Sequence, residues 1–349
     1  MKFGSLPRPH PRPKLTLKQR LRAWAIALLV FLVIPLFVVW LIVCQPSLKR
    51  NSPSNARVDP AHLEATVRRL SIDRVPRDFA HRDNLARIAD EIEAAFAESG
   101  ARPRRHTYRH TGLYQFHNIS GFFGPEDETL PRVIVGAHYD TYDEFPGADD
   151  NASGVAGILE LATLLGKLEP SRFVLPVELV CWPLEEPPYF RSDGMGSAVH
   201  AASLRENGVP VRLMVCLEMI GYFSDTFGSQ SYPMPLLHLY YPERGNFVAV
   251  AGDLHNRESI ALAKAAMKGA TPMPVCSIAA PRNLPGIDFS DHLNFWDQGY
   301  PAIMITDTAF YRNDRYHTER DTPDTLDYER MAQVVVGVYE VIRSLTVAN

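Results

Sequence analysis

Cysteine is scarce in this chain of 349 residues, and none of its four copies (Cys44, Cys181, Cys216, Cys276) has the CxxC spacing of a zinc or thiol redox site. Cys181 and Cys216 fall in apolar strand-like runs and read as buried thiols. An oxidising compartment would permit a disulfide between two of the four, and the sequence fixes no pairing. No internal repeat is present. The 28 prolines and 21 glycines are spread along the chain, marking loops between regular elements rather than a low-complexity protein. Net positive charge is also missing. The formal total of −4 conceals seven Lys or Arg and no acid between Met1 and Arg22, so the remainder sums to −11. An acidic body excludes nucleic-acid binding, which needs a basic face against phosphates.

Charge is absent altogether from Ala23 to Cys44, AWAIALLVFLVIPLFVVWLIVC. That run is long enough to cross a hydrocarbon core of about 30 Å as a helix, with Pro35 tolerated inside it. A cleavable signal would have a shorter apolar stretch, about 7 to 15 residues, and a small-residue cleavage site. A lipoprotein anchor at Cys44 would need a small residue where Val43 stands. The run therefore reads as an uncleaved single-pass anchor in a lipid bilayer. Seven basic residues precede it and three (Lys49, Arg50, Arg57) follow closely, which predicts a cytoplasmic N-terminus and an extracytoplasmic remainder, periplasmic in a Gram-negative bacterium.

What remains is large enough for one well-buried domain. The expected organisation is a basic tail at 1–22, the span at 23–44, a polar linker at 45–58 and a catalytic domain at 59–349. The domain opens with a helix carrying Leu85, Ile88, Ile92 and Phe96 on one stripe and stopping before Gly100. Short apolar runs at Val133–Gly136, Val177–Cys181, Leu213–Leu217, Phe247–Ala251 and Ala302–Ile305 read as buried strands. Helical patterns at Gly154–Leu168, Ser197–Asn207, Glu258–Lys268 and Tyr328–Leu345 alternate with them. This alternation predicts an α/β fold, a three-layer α/β/α sandwich around a largely parallel mixed sheet. Ligands gather beyond the C-terminal ends of such strands.

Five segments put chemistry there. Val133-Ile-Val-Gly-Ala-His138-Tyr-Asp140 sets a histidine and an acid directly after a strand, and Gly147-Ala-Asp-Asp150-Asn-Ala-Ser-Gly154 sets paired acids in a turn that feeds a helix. Leu184-Glu185-Glu186-Pro ends another strand with adjacent carboxylates, which repel unless a cation or proton offsets them. Cys216-Leu-Glu218-Met-Ile-Gly221 drops a glutamate at the end of an apolar run, and Tyr316-His317-Thr-Glu-Arg-Asp321 brings a second histidine ahead of the last helix. Each alone has a plain structural reading, as a capped turn, a solvated loop or a surface histidine. Together they offer only nitrogen and oxygen donors, which suits zinc and, less well, manganese or cobalt. Three acids (Asp150, Glu186, Glu218) and a bridging hydroxide balance two divalent ions, whereas one ion would leave excess negative charge.

In order, AHYD, GADDNASG, LEE, LEMIG, SDHLNFWDQGYPA and YHTERDT resemble the M28 family of metallopeptidases, from about Asp59 to Leu345. That family holds the bacterial leucyl aminopeptidases and the glutamate carboxypeptidase domain. The resemblance implies two zinc ions, with His138 and Glu218 completing one site, Glu186 and His317 the other, and Asp150 rather than Asp149 bridging them. It implies Glu185 as general base, with Asp140 orienting His138 as support rather than ligand. His292 reads as structural, and His200, His238 and His255 as ordinary histidines. The chain departs from the family pattern at Glu218, where many members carry aspartate. It departs again at Pro187-Pro-Tyr-Phe-Arg-Ser-Asp193, which replaces a short glycine-rich turn.

The expected activity is that of an exopeptidase, foremost an aminopeptidase acting on a peptide substrate. Carboxypeptidase or dipeptidase specificity, a one-zinc glutaminyl cyclase and a non-catalytic relative are the alternatives. Asn118-Ile-Ser and Asn151-Ala-Ser fit the glycosylation pattern, although a sugar on Asn151 would collide with the metal bridge. The sequence specifies neither the residue preferred at the cleaved end nor the oligomeric state.

Overall fold

The computed structural model describes residues 15–47, 51–110 and 114–348; most of the basic tail, with its PRPHPRP stretch, lies outside them. The chain divides into two compact units, Met1–Ile42 and Val43–Asn349. The first is dominated by helix α1 (Leu17–Cys44). It starts ahead of the uncharged run because Leu17-Lys-Gln-Arg-Leu-Arg22 are all good helix formers. Its 28 residues cover about 42 Å at the α-helical rise, and its large side chains are bare, Phe31 at 78% exposure and Trp24 at 75%. By length and composition the helix can cross a membrane.

The second unit holds helices α2 (Pro60–Arg68), α3 (Arg82–Glu98), α4 (Gly154–Gly166), α5 (Gly196–Glu206), α6 (Arg257–Met267), α7 (His292–Asp297) and α8 (Tyr328–Thr346). Its strands are β1 (Arg102–His110), β2 (Tyr114–Phe123), β3 (Arg132–His138), β4 (Val177–Trp182), β5 (Val211–Glu218), β6 (Val248–Asp253), β7 (Val275–Ala280) and β8 (Ala302–Thr306). They form one sheet in the order β1-β2-β4-β3-β5-β8-β6-β7. The centre, β4-β3-β5-β8, is parallel, and so is the β6-β7 pair. The β1-β2, β2-β4 and β6-β8 pairings are antiparallel. The largely parallel mixed sheet and three layers are those expected from the alternating runs.

Period-two alternation assigns the two faces. Ile134, Val180, Trp182, Met214 and Met304 pack with Ala201 and Leu204 of α5 and Phe295 and Trp296 of α7. Their neighbours Val135, Leu179, Val215, Leu217 and Ile305 pack against α4 and α8. Every residue of β3, β4 and β8 is buried, as expected for strands covered on both sides. Gly136 is glycine for a reason of space, since the Trp182 ring lies where a Cβ would stand. The stripe Leu85, Ile88, Ile92 and Phe96 is buried on α3, and the chain leaves that helix through Gly100 at φ +84°.

Three strands escape the apolar-run reading. β1 is an exposed edge strand rich in arginine, β2 is polar along much of its length, and β7 is only partly buried. The polar stretch expected to be a linker is seated on the body along its second half. Asn51 N donates to Lys268 O (2.6 Å) and Ser54 N to Ala270 O (2.9 Å), while Ser54 and Val58 are buried. All four cysteines are free thiols, with Cys44, Cys181 and Cys216 buried and Cys276 partly so. Asn118 is as inaccessible as Asn151, at 1% and 0% exposure, so neither glycosylation pattern is open to modification in the folded domain.

Candidate metal centre

His138 is the last residue of β3 and Glu218 the last of β5, while Glu185 and Glu186 follow the end of β4. Parallel strands put these three ends side by side on one edge of the sheet. The turn 147–153 enters α4 from the same edge, with Gly147 in the left-handed region at φ +55°. Asp321 holds that turn from outside, its two carboxylate oxygens accepting from Asp149 N (3.0 Å) and Asp150 N (3.1 Å). Asn151 ties it to the end of β5, donating to Leu217 O (2.8 Å) and accepting from Met219 N (3.1 Å). Thus the GADDNASG and LEMIG segments are two halves of one hydrogen-bonded joint.

The joint separates the paired acids. Asp149 turns away and accepts from Gly221 N and Asn313 Nδ2, both at 3.0 Å. Asp150 points into the site, where its Oδ1 lies 3.3 Å from His138 Nε2 and its Oδ2 lies 3.1 Å from His317 Nε2. Around His138 the set is completed by Glu218 Oε2 at 3.4 Å, and around His317 by Glu186 Oε2 at 3.2 Å. Two triads result, His138-Asp150-Glu218 and Asp150-Glu186-His317, each with donor atoms within 4.8 Å of one another. They share Asp150. Glu185 Oε2 approaches His138 Nε2 to 3.9 Å without belonging to either triad.

Asp140 plays two parts. Its Oδ1 is 3.4 Å from His138 Nδ1, and its two oxygens accept from Glu185 N and Glu186 N, both at 3.2 Å. One acid therefore sets the imidazole and the backbone of the glutamate pair together. Five of the six acids and histidines, all but His317, are buried with it. His292, in contrast, is bound to Ile287 O at 2.7 Å (Nε2) and has no place in the cluster. His200 pairs with Glu178, His238 with Glu243 and His255 with Asp253.

Several contributors lie outside the candidate site residues. Buried Arg77 reaches under the turn to the carbonyls of Leu70, Pro146 and Gly147. Ser290 Oγ donates to Glu218 Oε2 at 2.6 Å, steadying the longer side chain that replaces the usual aspartate. Tyr142 stacks on His317 with ring centroids 4.2 Å apart, and Tyr316 stacks on the same imidazole with centroids 3.7 Å apart. In the loop replacing the glycine-rich turn, Phe190 packs edge-on against Phe289 and Arg191 pairs with Asp288 (2.7 Å).

Electrostatics test whether these residues suit a cation. Burial pushes Glu185 well above the usual carboxylate range, and burial with the nearby Asp150 pushes Glu186 up to about 8. Burial also raises Glu218. Burial opposes protonation of the two imidazoles, yet the carboxylates around them hold His138 well above its ordinary value and raise His317 to about 10. Such a cluster needs positive charge at its centre. The hydrogen bonding agrees, because His138 Nε2, Asp150 Oδ1, Glu186 Oε1 and His317 Nε2 are buried and make no hydrogen bond. All four belong to residues of the two triads. Nitrogen and carboxylate donors, three per site, match a catalytic zinc that keeps an open position, and the shared acid matches a binuclear centre.

The sequence pattern of Peptidase family M28 matches residues 118–342, which include both triads. An Escherichia coli (strain K12) protein described as uncharacterized protein YfbL is 47% identical over 317 residues, 88% of this chain and 95% of that one. Leucine aminopeptidase 1 of Ajellomyces capsulatus (strain H88) is 26% identical over 257 residues, 70% of this chain; the match spans only 60% of that relative's length. Among solved structures, the zinc aminopeptidase BSAP of Bacillus subtilis superposes with a TM-score of 0.65 at 14% identity, over 83% of this chain and 96% of that one, a likeness of fold. With the family pattern spanning most of the chain and enclosing both metal-ligand triads, this protein belongs to peptidase family M28 and is a zinc-dependent metallopeptidase.

Proposed function

We propose that the protein is a membrane-anchored aminopeptidase that removes the N-terminal residue of peptides, with its catalytic domain from about Asp59 onward on the extracytoplasmic side. The observation that carries the chemistry is the division of Asp150, one oxygen toward His138 and the other toward His317. His138, Asp150 and Glu218 would hold one zinc, and Asp150, Glu186 and His317 the other. Bound there, two zinc ions supply Lewis acidity for a peptide carbonyl and lower the pKa of water toward about 7.

The chain's own residues do the rest. Glu185 stands beside the cluster without belonging to a triad, so its carboxylate is free to take a proton from water as the water oxygen bonds to the peptide carbonyl carbon. It then returns that proton to the leaving amine as the carbon–nitrogen bond breaks. Asp140 keeps Glu185 and His138 in register through the contacts already described. Tyr316 and Glu218 both line an adjoining apolar cleft, and this cleft would receive the side chain of the N-terminal residue. Two complete triads favour hydrolysis over one-zinc cyclisation. The anchor reading is supported by the bare, apolar α1 and by the basic residues before it.

The test is Glu185→Gln assayed on aminoacyl and N-blocked peptides. kcat should fall by about 10²- to 10⁴-fold with zinc content unchanged, and blocked peptides should resist the wild-type protein. Near-normal turnover by the variant removes Glu185 from the role, and equal turnover of blocked peptides removes the aminopeptidase assignment.

A further inference from the structure

A mostly apolar cleft with a cavity volume of about 100 Å³ adjoins the metal centre at Glu218. Its lining includes Glu218 and Tyr316 together with Tyr241, Cys276 and Ser277. The part of its wall formed by Tyr241 and Ser277 is held by chain at the end of α1. Cys44 O accepts from Ser277 Oγ at 2.8 Å and from Lys264 Nζ at 2.7 Å, and Lys264 Nζ also reaches Ser277 Oγ at 3.1 Å. Ser277 Oγ lies 2.9 Å from Gln45 Oε1. Tyr241 Oη donates to Ser277 O at 2.7 Å and stands 3.3 Å from Cys44 Sγ. Lys268 Nζ continues the clamp onto Ser47 O at 2.5 Å.

Lys264 gives this contact its weight. The side chain is buried, at 8% exposure, and no acid among the described residues forms an ion pair with it. A buried ammonium without partners is costly, and the Cys44 carbonyl is one of its two acceptors. Chain leaving α1 is therefore bound in place by Lys264 and Ser277, and Ser277 and Tyr241 also line the cleft.

We propose that the segment Cys44–Ser47 is a specificity element: by bracing Tyr241 and Ser277 from behind, it sets how bulky an N-terminal side chain the cleft accepts. Large apolar residues, phenylalanine above alanine, are the substrate class that uses the braced depth. The substrate half of this inference rests on the aminopeptidase reading above, whereas the brace does not.

The experiment uses the full chain in detergent micelles and compares wild type with Lys264→Met and the milder Gln45→Ala. One readout is the ratio of kcat/KM for phenylalanine and alanine p-nitroanilides. The other is the rate at which a maleimide alkylates Cys276, the one partly exposed cysteine, followed by mass spectrometry of its peptide. Lys264→Met should lower the ratio by about tenfold, the scale of a change in pocket fit. It should raise the alkylation rate by a similar factor as the braced end opens, with smaller shifts in the same direction for Gln45→Ala. Both readouts within twofold of wild type in both variants would overturn the proposal. Should Lys264→Met fail to fold, Gln45→Ala decides alone, any shift in alkylation supporting the brace and none overturning it. Should wild type cleave neither anilide, the aminopeptidase reading falls and the alkylation rates still decide the brace.

Discussion

Strand β4 and the turn just past it carry two kinds of buried acid. Near the start of β4, Glu178 accepts from Ser120 Oγ (2.6 Å) and Arg132 (2.7 Å) and pairs with His200 (3.2 Å). Just past the end of the same strand, Glu185 and Glu186 join Asp150 and Glu218 with no Lys or Arg ion pair among the described residues, and four of the cluster's donor atoms make no hydrogen bond. Depth is the same at both ends, so burial alone does not mark a site. Compensation does: against the burial that would raise it, His200 and Arg132 hold Glu178 down at about 2, while Glu186 is driven up to about 8. A self-satisfied acid belongs to the fold, and an acid left short of positive charge belongs to whatever cation the fold was built to hold.

Removing the shared acid should break the second cluster most severely. Asp150→Asn is expected to lower kcat/KM by at least about 10⁴-fold, the scale for residues that act as a unit, with loss of bound zinc measured by elemental analysis. Retained zinc with ordinary turnover would mean that Asp150 bridges nothing. The first cluster should respond in the opposite sense. Arg132→Met strands Glu178 and should cost about 3 to 5 kcal/mol in chemical denaturation, while zinc per folded chain stays at the wild-type level. A smaller effect sharpens the contrast through pH. Because the folded-state pKa of Glu178 lies below the ordinary 4.5, at about 2, its contribution is present above pH 4.5 and disappears as pH falls toward 2. The stability gap between wild type and Glu178→Gln should therefore close over that window, and a constant gap would deny Glu178 its compensation.

The candidate metal cluster was legible in the sequence because four of its five residues stand at a fixed place relative to a buried strand or the turn into α4. His138, Glu186 and Glu218 follow apolar runs, and Asp150 stands in a glycine-flanked turn. Choosing Asp150 over Asp149 depended on family resemblance, and the physical cause is visible only in three dimensions, where Gly221 N and Asn313 draw Asp149 away. Arg77 and Tyr142 left no trace in any local pattern, since their roles arise from contacts distant along the chain. The edge strand β1 was missed for a related reason. Its RPRRHTYRH sequence buries one side chain, Tyr108, and gains order by pairing with β2 rather than from apolar periodicity. The stretch after Cys44 looked like a linker because it is polar, and its binding partners, Lys264 and Lys268, lie far downstream.

The most direct measurement is the number of zinc ions held by the folded wild-type chain and by His317→Ala, read by native mass spectrometry. Two ions in the wild type and one in the variant are expected if the two triads share Asp150. A single ion in the wild type, or two undiminished by loss of His317, would contradict a binuclear centre built from these five side chains.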